Sequence, residues 1–308
     1  MNINPELLRL PTTLALPGEG VLHVAASLWC PATTPRAVWV CQPGGNMNRH
    51  YFDLQPPDSD TPSYSFAAQM VARGDAVLAL DHLGIGDSDR PADGWLLTPE
   101  RLAEAMASAI AEATALLPNV PLLGLGHSMG ALMTVLTQDR SQAFVGVAVL
   151  GFATRGLPAF LPPTLKDLDG VIPDGDALRV HAERMFGEPF PTIHRRSKGN
   201  KAFYGSAEAE TDGIRALKRA TDCLLPIPAL RSMMPGNVAA EAQRLTVPVF
   251  IGVGDRDLVG PANDLPAAFA AAPSVHLEVL ADTGHSHFLF PSRVRLFDAL
   301  ADWAAGVV

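Results

Sequence analysis

Cysteine is scarce. The 308 residues hold three, Cys30, Cys41 and Cys223, and none stands at a metal-ligand spacing from another. That excludes a cysteine-built metal site, fits a reducing compartment such as the cytoplasm, and leaves core packing as the ordinary role of each thiol. Long apolar runs are also missing: none reaches the roughly 18 uninterrupted residues that mark a membrane span. No block of five or more like charges occurs, and the net charge is -9. Without a basic patch, nucleic acid is not an expected partner. The opening stretch, MNINPELLRLPTTLALPGEG, lacks the basic-then-apolar order of a secretory leader. Internal repeats and low-complexity tracts are absent too. What remains is a chain that is 48% hydrophobic and 18% charged. It is long enough for one large core, or for a core with an inserted subdomain.

Short apolar runs alternate with helical patterns through most of the chain. Residues 13–16 and 21–24, around Pro17-Gly18-Glu19-Gly20, predict an antiparallel hairpin. The continuous apolar run at 37–41 reads as a strand covered on both faces and 76–80 as the next buried strand; 120–125, 145–150, 248–253 and 275–280 read as further strands. Helical spacing is present over 63–73, 131–137, 261–271 and 291–305. It also follows Thr98-Pro99-Glu100, a hydroxyl cap with proline at the first helical position. This alternation predicts an α/β protein with a doubly wound, mostly parallel sheet. From 152 to 244 the strand-like runs stop, and prolines punctuate short amphipathic pieces, including 176–186 and 207–220. The expectation is a mainly helical insertion over the sheet, because ninety irregular residues would be unusual in a compact domain. That divides the chain into a core of 1–151, the insertion 152–244, and the remaining core 245–308. Phe160, Leu161, Leu224, Leu225, Met233 and Met234 would then form either an apolar roof over a site or, more simply, the insertion's own core.

The stretch that organises the rest is Gly126-His127-Ser128-Met129-Gly130, between an apolar run and a helical one. A serine at the apex of so sharp a strand-to-helix turn needs glycine on both sides, so that strand and helix can approach. The turn lifts the hydroxyl clear of the sheet and leaves the backbone N–H of Met129 at a helix N-terminus, where it can face a developing oxyanion. Taken alone, the five residues could be a serine in a glycine-rich turn. In their strand-and-helix context they resemble the nucleophile elbow of the α/β-hydrolase family.

A serine hydroxyl needs a base, and the base needs an orienting acid. Histidine stands at 285 and 287 in Ala281-Asp282-Thr283-Gly284-His285-Ser286-His287, directly after the last strand. The Gly-His pair and the family pattern favour His285, with His287 as its rival. His127 reads as packing or support, and His181 and His194 lie in the insertion. For the acid, Gly254-Asp255-Arg256-Asp257-Leu258-Val259-Gly260-Pro261 resembles the family's G-x-x-D-x-x-x-P loop. That resemblance implies Asp257, with Asp255 as the near alternative. The resulting order, Ser128, Asp257, His285, is that of the family. Pro43-Gly44-Gly45-Asn46 resembles the family's His-Gly-x turn with proline in place of histidine, which implies a second oxyanion-hole donor at Gly45, with Asn46 next in line. Asn46, Met47 and Arg49 are then candidates for the pocket wall. The segment from Asp81 to Pro91 resembles the family's D-x-x-G-x-G-x-S-x-x-P loop, whose role is architectural. Its G-x-G pair does not extend to the dinucleotide-binding pattern, because Asp89 fills the last slot.

The resemblance implies a serine hydrolase acting on a carboxylic ester or related acyl bond of a small, apolar or acyl-type substrate, without metal or organic cofactor. A lactonase, thioesterase, C–C bond hydrolase, peptidase or acyltransferase would use the same residues. A non-catalytic binding protein of this fold would keep the pocket without turnover.

Overall fold

The computed structural model describes residues 4–57, 62–117, 119–165, 172–192 and 209–308. Their strands are β1 (Glu6–Pro11), β2 (His23–Trp29), β3 (Val38–Gln42), β4 (Ala76–Leu80), β5 (Leu122–His127), β6 (Gly146–Leu150), β7 (Val249–Gly254) and β8 (Val275–Leu280). They form one sheet in the order β1-β2-β4-β3-β5-β6-β7-β8. The β1–β2 and β2–β4 pairs are antiparallel and all the others parallel. Strands β3 to β7 are buried at every residue, as their unbroken apolar runs require of a sheet covered on both sides. Successive side chains feed opposite cores. Val38 and Val40 join the side that holds α2 (Pro99–Leu116) and α3 (Met129–Ser141). Trp39 and Cys41 join the side that holds α1 (Phe66–Ala72) and the last helix (Arg293–Ala305). Helix α2 starts as its sequence predicts: Thr98 accepts a hydrogen bond from Arg101 N, and Pro99 opens the helix.

Two expectations need correcting. The amino-terminal hairpin exists, but its ladder runs from Glu6↔Leu28 to Pro11↔His23, and residues 13–16 lie outside it. Leu14 and Leu16 are nonetheless buried in the main core. Their alternation reflects a segment laid on the protein, which has the same period as a strand. Residues 261–271 form not an α-helix but a 3₁₀ segment at Ala262–Ala268. Pro266 within it has no N–H to give.

Between β6 and β7 the described residues hold α4 (Gly175–Phe186), α5 (Thr211–Leu217), α6 (Pro226–Met233) and α7 (Ala239–Gln243), and no named strand. Helix α4 is capped by Asp174, which accepts from Ala177 N at 2.7 Å, and stopped by Gly187. Residues 207 and 208 of the expected second helix, and His194, lie outside the described residues. Leu161, Met233 and Met234 pack with Leu178, Ile227 and Leu230 in a local core. Leu224 and Leu225 turn instead into the main core, and Phe160 is exposed. The last helix completes the numbering as α8.

A buried ion pair ties the segments after β3 and β4 to each other and to β2. Arg49, just after β3, pairs with Asp81 at the end of β4; their side chains are 5% and 0% exposed. Arg49 Nε donates to Ser27 Oγ of β2 at 2.9 Å, and its Nη2 donates to Asp87 at 2.6 Å. Asp81 also accepts from the backbone N–H groups of Arg49, at 2.6 Å, and Asp87, at 3.0 Å. The loop wraps so tightly on this carboxylate that a Cβ on Gly86 would lie 2.0 Å from Asp81 Oδ2. Arg49 is therefore a structural cation, not the pocket wall that the sequence suggested.

Removing one partner of such a pair leaves a buried charge. Arg49→Ala is expected to lower the unfolding free energy by about 3–5 kcal/mol, measured by urea denaturation at neutral pH. A second expectation concerns His82, which is fully buried and whose Nε2 donates to Pro43 O at 3.0 Å. Burial pulls its imidazole down to about 4. The unfolded chain takes up this proton near pH 6.5 and the folded chain does not. The group therefore removes no stability above that pH, and removes it progressively as pH falls towards 4. The full gap is worth about 3 kcal/mol. His82→Gln, which keeps a donor that does not titrate, should show a correspondingly shallower loss of stability between pH 7 and pH 4.

Candidate active site

Ser128 sits between β5 and α3 with φ 55° and ψ -121°, a left-handed conformation that side chains rarely adopt. The neighbours make it possible. A Cβ on Gly126 would fall 2.2 Å from Gly130 O, and one on Gly130 would fall 2.1 Å from Gln42 O. Only glycine fits either place. The turn is pinned by Ser128 N donating to Leu150 O at 2.8 Å and Ala131 N donating to Ser128 O at 2.9 Å.

The parallel register brings the carboxyl ends of β3, β5, β6, β7 and β8 level with this turn. Gln42 pairs with Gly126, His127 with Leu150, Leu150 with Gly252 and Gly254 with Leu280. Loops beyond such an edge are where α/β sheets hold their sites. His285 Nε2 lies 2.9 Å from Ser128 Oγ, and its Nδ1 lies 2.7 Å from Asp257 Oδ1. Both the histidine and aspartate side chains are essentially enclosed, at 4% and 0% exposure. Ser128 remains partly exposed. Burial works against the charge on Asp257, but the two imidazoles of His285 and His287 outweigh it and hold the carboxyl well below the usual carboxylate range.

The structure brings Ser128, His285 and Asp257 together and gives the rivals other contacts. Asp255 is exposed and accepts from Thr283 N at 3.1 Å, which pins the histidine loop. His287 reaches Asp257 Oδ2 at 2.8 Å, not the serine. His127 is buried with Nε2 2.8 Å from the carbonyl oxygen of His285, its ring against Tyr51 at 4.7 Å. Burial, with His285 and His287 nearby, holds its imidazole well below the usual histidine range, so it stays neutral and donates to that carbonyl. His181 stands on α4. Gly151, at φ 59°, closes the edge of β6; a Cβ there would lie 3.1 Å from ring atoms of both His285 and His287.

The loop after β3 passes over the turn. A Cβ on Gly44 would lie 2.9 Å from His127 Nδ1, and one on Gly45 would lie 2.9 Å from Leu224 Cδ1 and 3.9 Å from Met129 Sδ. Asn46 follows with φ 61°. Met129 opens the thirteen-residue α3. Met47 is buried and forms an isolated bridge with Thr221. That bridge belongs to a seam which the sequence did not reveal. Asn48 N donates to Ala220 O and Asp222 N to Asn46 O, each at 2.9 Å. Asp222 Oδ2 accepts from Asn48 Nδ2 at 3.2 Å and from Gly86 N at 3.1 Å. No local pattern marks Asp222, because its partners lie 136 and 174 positions away. Among the described residues no group of three or more His, Cys, Asp or Glu side chains could hold a metal ion, and no helix is long and apolar enough to cross a membrane.

Known proteins can now be set beside this geometry. No curated protein matches the chain by sequence. Solved structures match its fold at low identity. A highly thermostable carboxyl esterase from Bacillus coagulans, in complex with glycerol, superposes with a TM-score of 0.67 at 18% identity, over 98% of this chain and 99% of that one. A thermophilic esterase from Thermogutta terrifontis gives 0.59 at 16%, over 98% and 99%. A bromoperoxidase from Bacillus anthracis gives 0.61 at 15%, over 96% and 98%. A family model described as serine aminopeptidase, S33, matches residues 63–290, most of the sheet together with the turn at Ser128 and both histidines after β8. The chain therefore belongs to the serine aminopeptidase S33 family of α/β-hydrolases.

Proposed function

We propose that the protein is a serine hydrolase that cleaves a carboxylic ester or related acyl bond. The observation that carries this reading is the unbroken hydrogen-bond path from Ser128 Oγ through His285 to Asp257. Ser128 attacks the substrate carbonyl as its proton passes to His285 Nε2. Asp257 keeps Nδ1–H directed towards itself and steadies the imidazolium without taking its proton. The backbone N–H groups of Met129 and Gly45, with Asn46 adjacent, face the oxyanion. One such donor is typically worth about 2.7–4 kcal/mol in the transition state. His285 then returns the proton to the leaving group, and water releases the acyl group from the serine by the same path.

In this reading residues 1–151 and 245–308 form the hydrolase core and 152–244 a cap. Leu224 from the cap and Met129 from the elbow surround Gly45, which suits an apolar or acyl-type small molecule. The family's description raises a peptidase as the alternative. Asp222, the acid beside the oxyanion loop, accepts from Asn48 and Gly86 and so helps to shape that loop. The three cysteines are free, which suits a reducing compartment such as the cytoplasm.

A fluorophosphonate should label the wild type at Ser128 and leave Ser128→Ala unlabelled, and p-nitrophenyl ester hydrolysis should fall by roughly 10⁴-fold or more in Ser128→Ala. A wild type that is neither labelled nor active on such esters would favour a binding protein instead. The choice of acid has its own measurement. Asp257→Asn should lower kcat by roughly 10³–10⁴-fold. Asp255→Asn, whose contact is the Thr283 N–H, should stay within about fivefold of the wild type.

A further inference from the structure

Asp257 carries an imidazole on each oxygen. Oδ1 accepts from His285 Nδ1 at 2.7 Å and from Leu258 N at 2.6 Å. Oδ2 accepts from His287 Nε2 at 2.8 Å, and the side chains of both residues are 0% exposed. An ionised carboxylate only accepts, so the proton of His287 sits on Nε2 and its Nδ1 is bare. That Nδ1 is buried with no hydrogen-bond partner. The ring is held from other sides as well. Gly151 leaves it room where any side chain would crowd it, and the His127 ring meets it edge-on at 5.7 Å. The next residue, Phe288, is locked by stacking on Tyr51 at 4.8 Å and Phe66 at 6.0 Å.

We propose that His287 is a positioning residue for the acid: it clamps Oδ2 so that Oδ1 stays on His285. The inference rests on the Ser128–His285–Asp257 reading above. A carboxylate held at one oxygen can turn about its Cβ–Cγ bond and lose its aim. With a neutral donor on each oxygen it cannot. The second donor also shares the negative charge that would otherwise gather on Oδ1. When Ser128 passes its proton to His285, His287 keeps its Nε2–H directed at Oδ2. The titratable groups facing this pair are Asp257 from the loop after β7, His285 from its own loop, His127 from the end of β5, and Tyr51 from the turn after β3.

Two variants and one spectrum test this. Glutamine at 287 can place an amide N–H where the imidazole Nε2–H lies; phenylalanine keeps the ring and removes the donor. His287→Gln should keep kcat within roughly threefold of the wild type on a p-nitrophenyl ester. His287→Phe should lose roughly 10- to 100-fold in kcat with little change in KM. Imidazole ¹⁵N spectra of the wild type should show His287 protonated at Nε2 and bare at Nδ1. A wild-type kcat in His287→Phe would overturn the inference, and so would the proton on Nδ1. An equal loss in His287→Gln would overturn it as well, since the ring would then be acting as more than a donor. Should His287→Phe fail to fold, His287→Gln and the spectrum decide. A wild type that fluorophosphonate leaves unlabelled would overturn the parent reading and this one with it; a labelled wild type beside an unaffected His287→Phe would overturn this one alone.

Discussion

A carboxylate with no exposed surface must be surrounded by donors or give up its charge. Asp257 meets that condition with two imidazoles and a backbone N–H, and those donors come from the loops after β7 and β8. Much of the surrounding structure serves to keep these donors in place. Asp255 and His127 hold the backbone of the histidine loop at residues 283 and 285. The aromatic stack of Phe288 on Tyr51 and Phe66 fixes the chain beyond it. The parallel register sets the five carboxyl ends level, so that side chains from sequence positions 128, 257 and 285 can meet at all.

The turn at Ser128 was legible in the sequence because it is a backbone demand. The close approaches at Gly126 and Gly130 admit no other residue, and such a constraint leaves its mark on neighbouring letters. The buried strands were legible for a similar local reason: a strand covered on both faces must be apolar throughout. The choice between Asp255 and Asp257 was not legible from the residues alone. Both lie in one loop, and which one faces inward depends on the path of the chain after β7. The same holds for His285 and His287, which sit two residues apart in one loop, His285 before and His287 at the start of a short 3₁₀ turn, His287–Leu289.

Errors arose where the deciding partner was distant. Arg49 looked like a pocket residue because it follows the glycine loop, but its counter-ion Asp81 lies 32 positions on, and together they are buried. Residues 13–16 alternate like a strand because any segment laid on a core exposes every second side chain. Asp222 carried no signal at all. Its significance is set by Asn48 and Gly86, which reach it only in the folded chain.

The seam at Asp222 has a consequence for how this molecule can be rebuilt. The stretch 220–222 shares backbone hydrogen bonds with 46–48, so the loop over Ser128 owes part of its shape to a segment that enters the chain after β6. Exchanging that segment for one from a relative would therefore change more than the segment itself. Unless the graft carries an acid and matching backbone groups in these positions, the loop over Ser128 would relax with it.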